Sequence, residues 1–156
     1  MKWAIEIIEQ SDFSYILPLK RNSTYLDYNY IDNNKATMDG FFKYKKRYIW
    51  YKQKNIENNR RIIIFLDDQL RINEEQDYLD RIEKKCENYN REEFQKHQPR
   101  MGTISTIDNL KDKAPKEVYY TYKSRCEIEQ LFDIFKNELE ADSTYMHSTE
   151  SLKGWM

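Results

Sequence analysis

The stretch from Pro115 to about Leu139 constrains this chain more than any other. Proline is favoured in the first turn of a helix, where its missing N–H has no partner to lose, so the stretch reads as one long helix. At 100° per residue, Ile128, Leu131, Phe132, Phe135 and Leu139 fall within an arc of roughly 100°, wide enough for a buried stripe. Alongside runs a polar set, Tyr122, Arg125, Glu129 and Lys136, within an arc of roughly 60°. The helix is expected to pack by one face and to present this set at the rim. A carboxylate between cations suits a metal-bound phosphodiester, since carboxylate oxygen is a hard ligand for Mg²⁺ and the cations hold phosphate oxygens. Arg125 and Glu129 are equally an ordinary i,i+4 surface pair, and on chemistry alone that is the simpler account.

Upstream of this helix the pattern changes. Residues 3 to 9 read as a short helix, and Phe13 to Leu19 as a strand that Pro18 consigns to an edge or an early end. Arg21 to Gly40 is polar and reads as loop. Residues 41 to 52 read as a strand with Phe42, Tyr44, Tyr48 and Trp50 on one face, interrupted by Lys46, and Lys43, Lys45 and Arg47 on the other. After a turn at Asn58-Asn59, Arg60 to Leu66 is a second strand, which makes a hairpin or small antiparallel sheet with a basic face. From Lys43 to Arg61 there are eight cations and one acid, Glu57. Interleaved with aromatics, such a surface can neutralise phosphates and stack bases, or it can be a solvated sheet face. Asn73 to about Lys96 reads as an acidic helix, with Leu70, Tyr78, Leu79, Ile82 and Tyr89 as a partial apolar stripe. Glu74, Glu75, Asp77, Asp80 and Glu83 are expected to face water. Gly102 to Ile107 is a short strand.

Composition narrows the classes. At 156 residues the chain has room for one domain, or one with a small insertion, and a real core. With 26 basic and 27 acidic residues, the net charge of −1 excludes a globally basic nucleic-acid coat. Mean hydropathy is −1.00, without an apolar run long enough for a membrane span, and the N-terminus has no secretory h-region. Aromatic residues at 15%, with 3 Gly and 3 Pro, argue for a folded chain rather than a disordered one. Cys86 and Cys126 make no disulfide framework and read as reduced thiols of a cytoplasmic protein. His97 and His147 lack partners at metal-ligand spacing, and no Gly-rich phosphate loop or nucleophile elbow is present.

Tyr122-x-x-Arg125-x-x-x-Glu129-x-x-x-x-x-x-Lys136 resembles the YREK signature of DDE-class insertion-sequence transposases, with every spacing kept. Ile128-Glu129-x-x-Phe132, the Tyr119 and Tyr122 pair, the Gly102-Thr103-Ile104 strand and Ser148 to Trp155 also resemble that family's C-terminal region. More weakly, Tyr15 to Lys20, Tyr48 to Tyr51 and Ile64 to Asp67 resemble the β-rich insertion that separates the family's last two catalytic acids.

The resemblance implies an α/β fold. It would comprise a partial ribonuclease-H-like core, its C-terminal part, with a β-rich insertion and a long C-terminal helix. Residues 1–156 would form a single truncated catalytic domain, with 1–20 and 100–156 as core elements and 21–99 as insertion plus acidic helix. Glu129 matches the third catalytic and metal-binding acid. Tyr122, Arg125 and Lys136 match residues that contact transposon-end DNA, and Lys43, Lys45 and Arg47 are further candidate DNA contacts. In the intact family, Mg²⁺ or Mn²⁺ serves strand cleavage and transfer. Here both aspartates would lie before Met1, as in a piece of a split or decayed gene, so this chain alone is expected to hold no metal stably and to be inactive. Asp67 and Asp68, after the second strand, are the acids best placed to substitute. A strand-end turn is the expected role instead, since the family carries a non-catalytic acid there. The implied partners are transposon-end and target DNA, and the missing N-terminal half or a second copy, with no membrane and no small-molecule substrate. The alternatives are a stand-alone, non-catalytic nucleic-acid-binding module and a non-functional relic.

Overall fold

The computed structural model describes residues 13–29, 31 and 35–139, with side chains described as far as residue 134. The predicted helix at residues 3 to 9, His147 and the Ser148 to Trp155 stretch lie outside the described residues. Contacts group the chain into two compact units, one ending at Val118 and the other beginning at Tyr119. The fold is mixed α/β.

The first unit is built on five strands in one antiparallel sheet. They are β1 (Ile16–Leu19), β2 (Gly40–Tyr44), β3 (Arg47–Ile56), β4 (Arg60–Asp67) and β5 (Thr103–Asp108), in the spatial order β1-β5-β4-β3-β2. The sheet thus joins strands expected of the core to strands expected of the insertion. β4 is central, and its residues from Arg61 to Asp67 are all buried, which is why its sequence is an unbroken apolar run rather than an alternating one. β1 is an edge, as Pro18 requires, and Pro18 sits opposite Thr106 of β5. Asn109 extends this pairing with its side chain, accepting from the Tyr15 N–H at 2.9 Å and donating to the Phe13 carbonyl at 2.9 Å.

The expected single strand over residues 41 to 52 is two strands. A two-residue connection, Lys45-Lys46, turns the chain so that Tyr44 pairs with Arg47, Lys43 with Tyr48 and Phe41 with Trp50. Lys45 adopts a left-handed φ of 55° at this turn. Because directly opposed residues share a face, the reversal changes the parity. Phe42, Tyr44, Arg47 and Ile49 lie on one face, and Phe41, Lys43, Tyr48 and Trp50 on the other. The basic face of Lys43, Lys45 and Arg47 does not form. At the next reversal, Asn58 and Asn59 take left-handed φ values of 60° and 58°, which asparagine tolerates better than most residues, so the predicted turn is there.

One face of the sheet carries the main core: Leu19, Ile62, Ile64, Leu66 and Ile107, with Tyr15 and Ile31. The polar segment after β1 covers it, placing Tyr25, Leu26, Tyr28 and Met38 against these side chains.

The acidic helix expected from Asn73 to Lys96 is interrupted. It comprises α1 (Asp68–Glu83) and α2 (Arg91–His97). After α1, Lys85 takes a left-handed φ of 55°, the Lys85 N–H bonds to the Ile82 carbonyl, and the Cys86 N–H bonds to that of Arg81. This is the Schellman closure, with lysine where glycine is usual. Asn90 then caps α2, its Oδ1 accepting from the Glu93 N–H at 2.9 Å. Tyr78 joins the two helices, its ring centroid 4.8 Å from that of Tyr89 and 5.6 Å from that of Phe94. Glu74 is only partly exposed. It pairs with Arg21 at 2.8 Å and accepts from the Gly102 N–H at 2.8 Å. Gly102 has a φ of 73°, and a Cβ there would lie 2.5 Å from Arg71 Cβ.

The third helix, α3 (Pro115–Leu139), starts within the first unit and continues through the second. Its N-terminus is closed by Glu117, whose carboxylate accepts from the Ala114 N–H at 3.0 Å. The expected buried stripe is not found: Ile128, Leu131 and Phe132 are each more than half exposed. The side chains of Phe135 and Leu139 are outside the described residues. The stripe's periodicity is helical, but periodicity cannot supply a surface to bury it against.

Beneath the start of α3 lies a buried ion pair. Arg61 and Asp108 face each other across β4 and β5, with side chains 5% and 0% exposed and a closest approach of 3.0 Å. Arg61 also donates to the Leu110 carbonyl at 2.8 Å and the Lys113 carbonyl at 2.9 Å. Asp108 additionally accepts from the Leu110 N–H at 2.9 Å. Asp108→Ala would leave a buried guanidinium without its counter-charge. We expect it to lower stability by about 3–5 kcal/mol in urea denaturation. A loss under about 1 kcal/mol would contradict this role. Lys85→Gly relieves a left-handed residue with a Cβ and should raise stability by about 0.5–1 kcal/mol by the same assay.

Candidate nucleic-acid interface

α3 presents Tyr122, Arg125 and Glu129 at the spacing i, i+3, i+7, which places them on one side of the helix. Arg125 and Glu129 are both exposed, and Arg125 Nε donates to Glu129 Oε1 at 2.8 Å. That hydrogen bond, and then the carboxylate's charge, raise the Arg125 guanidinium above its ordinary pKa. Tyr122 is half-buried. Burial raises the pKa of its phenol, and a hydrogen bond to Cys126 adds to the effect, while the charge of Arg125 opposes it. Lys136 lies on the same helix, and its side chain is outside the described residues. Chemically, the described part is an exposed charge pair beside a half-buried tyrosine. It can meet a phosphate through Arg125 once the guanidinium exchanges part of its hydrogen bonding with Glu129.

Among the described residues a two-metal centre finds no ligand set. Glu129 is engaged by Arg125, and among the described residues no group of three or more His, Cys, Asp or Glu side chains could hold a metal ion. Asp67 has a structural role. It is buried, its Oδ1 accepts from the Gln69 and Leu70 N–H groups at 3.0 and 3.2 Å, and its Oδ2 lies 2.9 Å from Arg47. It is the N-cap of α1, so the strand-end turn expected at this position is also a helix start. Asp68 pairs with Lys35. His97 packs its ring 6.0 Å from that of Tyr78, with Nε2 3.8 Å from a Glu93 oxygen.

The basic stretch from Lys43 to Arg61 is dispersed by the fold. Arg61 is buried with Asp108, Arg47 is paired with Asp67 on the opposite face from Lys43, and Lys52 is paired with Asp39 at 2.9 Å. Lys45 sits in the turn, its ammonium 5.4 Å from the centre of the Tyr44 ring. The structure therefore does not bring Lys43, Lys45 and Arg47 onto one surface. Sequence reasoning missed the exposure of Phe41. Lys45-Lys46 lacks the Asn or Gly that marks a two-residue hairpin loop, so only the break in the aromatic alternation at Lys46 pointed to the reversal. Cys86 and Cys126 are free thiols. Among the described residues no helix is long and apolar enough to cross a membrane. No family model, curated protein or solved structure matches this chain.

Proposed function

We propose that this chain is of DDE-transposase lineage and acts on DNA through α3, as a duplex-binding part of a transposition protein. What carries the reading is the placement of Tyr122, Arg125 and Glu129, at the signature's spacing, on one uninterrupted helix that follows β5 after a short loop. In this reading β1, β5 and α3 belong to a ribonuclease-H-like core, and β2 to β4 with α1 and α2 to its insertion. Arg125 and Lys136 bind backbone phosphates, Tyr122 supports the helix surface beside them, and Glu129 is the one acid of the catalytic set that the resemblance matches. Mg²⁺ or Mn²⁺ belongs to the intact family's chemistry.

Binding to duplex DNA should be weak and largely independent of sequence, with a dissociation constant of about 10⁻⁴ to 10⁻⁶ M at physiological salt. Replacing Arg125 and Lys136 together with Ala should reduce the slope of log affinity against log salt by about two phosphate contacts. Fluorescence anisotropy on a labelled duplex reads this, and an unchanged slope would remove α3 from the interface. With only one acid of the set matched, the purified chain should not nick supercoiled plasmid with Mg²⁺ or Mn²⁺. Metal-dependent nicking abolished by Glu129→Gln would show that acids of this chain complete a catalytic site.

A further inference from the structure

The hairpin formed by β2 and β3 carries a surface that the α3 reading does not use. On the face of the sheet that bears the main core, the covering segment reaches as far as Trp50, which is partly buried against that core. Beyond Trp50 the face continues to the hairpin tip with Phe41 and Tyr48, which are 57% and 56% exposed. Their ring centroids are 5.9 Å apart, in an edge-to-face arrangement, and Phe41 lies 4.9 Å from the Trp50 ring. Lys43, directly opposite Tyr48, is exposed on this same face, and Lys45 and Lys46 are exposed at the turn. Residues 41 to 52 contain no acid. Two exposed aromatic rings favour a partner with planar π faces, and the surrounding lysines favour one that is anionic. A strand of unpaired nucleotides offers both at short spacing, whereas a duplex hides its base faces in the stack.

We propose that this hairpin face is a platform for single-stranded nucleic acid, with bases stacking on Phe41 and Tyr48 and phosphates near Lys43 and Lys46. The proposal does not rest on the transposase reading. Its test uses fluorescein-labelled oligo-dT and a duplex of equal length with the full chain. The single strand should bind more tightly than the duplex. Phe41→Leu with Tyr48→Leu keeps apolar bulk at both positions but removes the π faces. This pair should weaken binding to the single strand at least about tenfold, while duplex binding stays unchanged and the circular-dichroism melt, lowered by the lost contact with Trp50, keeps a single cooperative transition. Tyr48→Phe in place of Tyr48→Leu, still with Phe41→Leu, puts one π face back and should recover part of the affinity. Unchanged single-strand affinity in the folded double-leucine variant would overturn the proposal. So would a chain that sediments as a dimer and that this variant turns into a monomer, since the patch would then be a surface between copies.

Discussion

The Arg61–Asp108 pair fixes how the sheet hands the chain over to its longest helix. Two charges taken out of water are stable together only when every donor and acceptor finds a partner. Here Asp108 faces the guanidinium, and the carbonyls of Leu110 and Lys113 take donors that the carboxylate leaves over. Those carbonyls belong to the connection between β5 and α3, so the pair holds that loop against the two central strands. Arg61 sits at the start of β4 and Asp108 at the end of β5, which places both at one end of the sheet.

A second polar knot works at the opposite end of the same strands. Asp67 ends β4 and starts α1 by accepting two helix N–H groups, and its own N–H bonds to the Gly102 carbonyl at 2.9 Å. Glu74, one turn and a half into α1, takes the Gly102 N–H and the Arg21 guanidinium, while Arg21 Nε donates to the Thr103 carbonyl at 3.0 Å. The segment that covers the core, the first helix and the approach to β5 therefore converge on one turn, where only a residue without Cβ fits. Acids that look like surface charge in the sequence are bound into the frame here.

The two surfaces proposed to meet nucleic acid differ in kind. α3 offers a cation beside a carboxylate and a half-buried tyrosine, which suits contact with a phosphate backbone. The hairpin offers exposed rings edged by lysines, which suits unpaired bases. The exposed Ile128, Leu131 and Phe132 on α3 form a third, purely apolar feature, unlike either in chemistry.

Local order is what the sequence by itself determined: the strand from Arg60 onward, the edge position of Pro18, the turn at Asn58-Asn59, and a helix opened by Pro115 that aligns Tyr122, Arg125 and Glu129. These follow from backbone limits and side-chain periodicity, which act over a few residues. The break between α1 and α2 was partly legible too, since Asn90-x-x-Glu93 has the form of a capping sequence. Tertiary structure decided which charges are solvated. Arg61 and Arg47 belong to the same basic run as Lys43, yet strand pairing sets Arg61 opposite Asp108, and Arg47 reaches Asp67, whose strand partner is Ile49 two residues on. Lys43, ahead of the Lys45-Lys46 reversal, stays exposed on the edge strand, while the reversal sends Arg47 to the opposite face and to Asp67. Register and cross-strand neighbours are set by contacts distant in sequence, so a charge's partner, and hence its role, emerges only when the sheet closes.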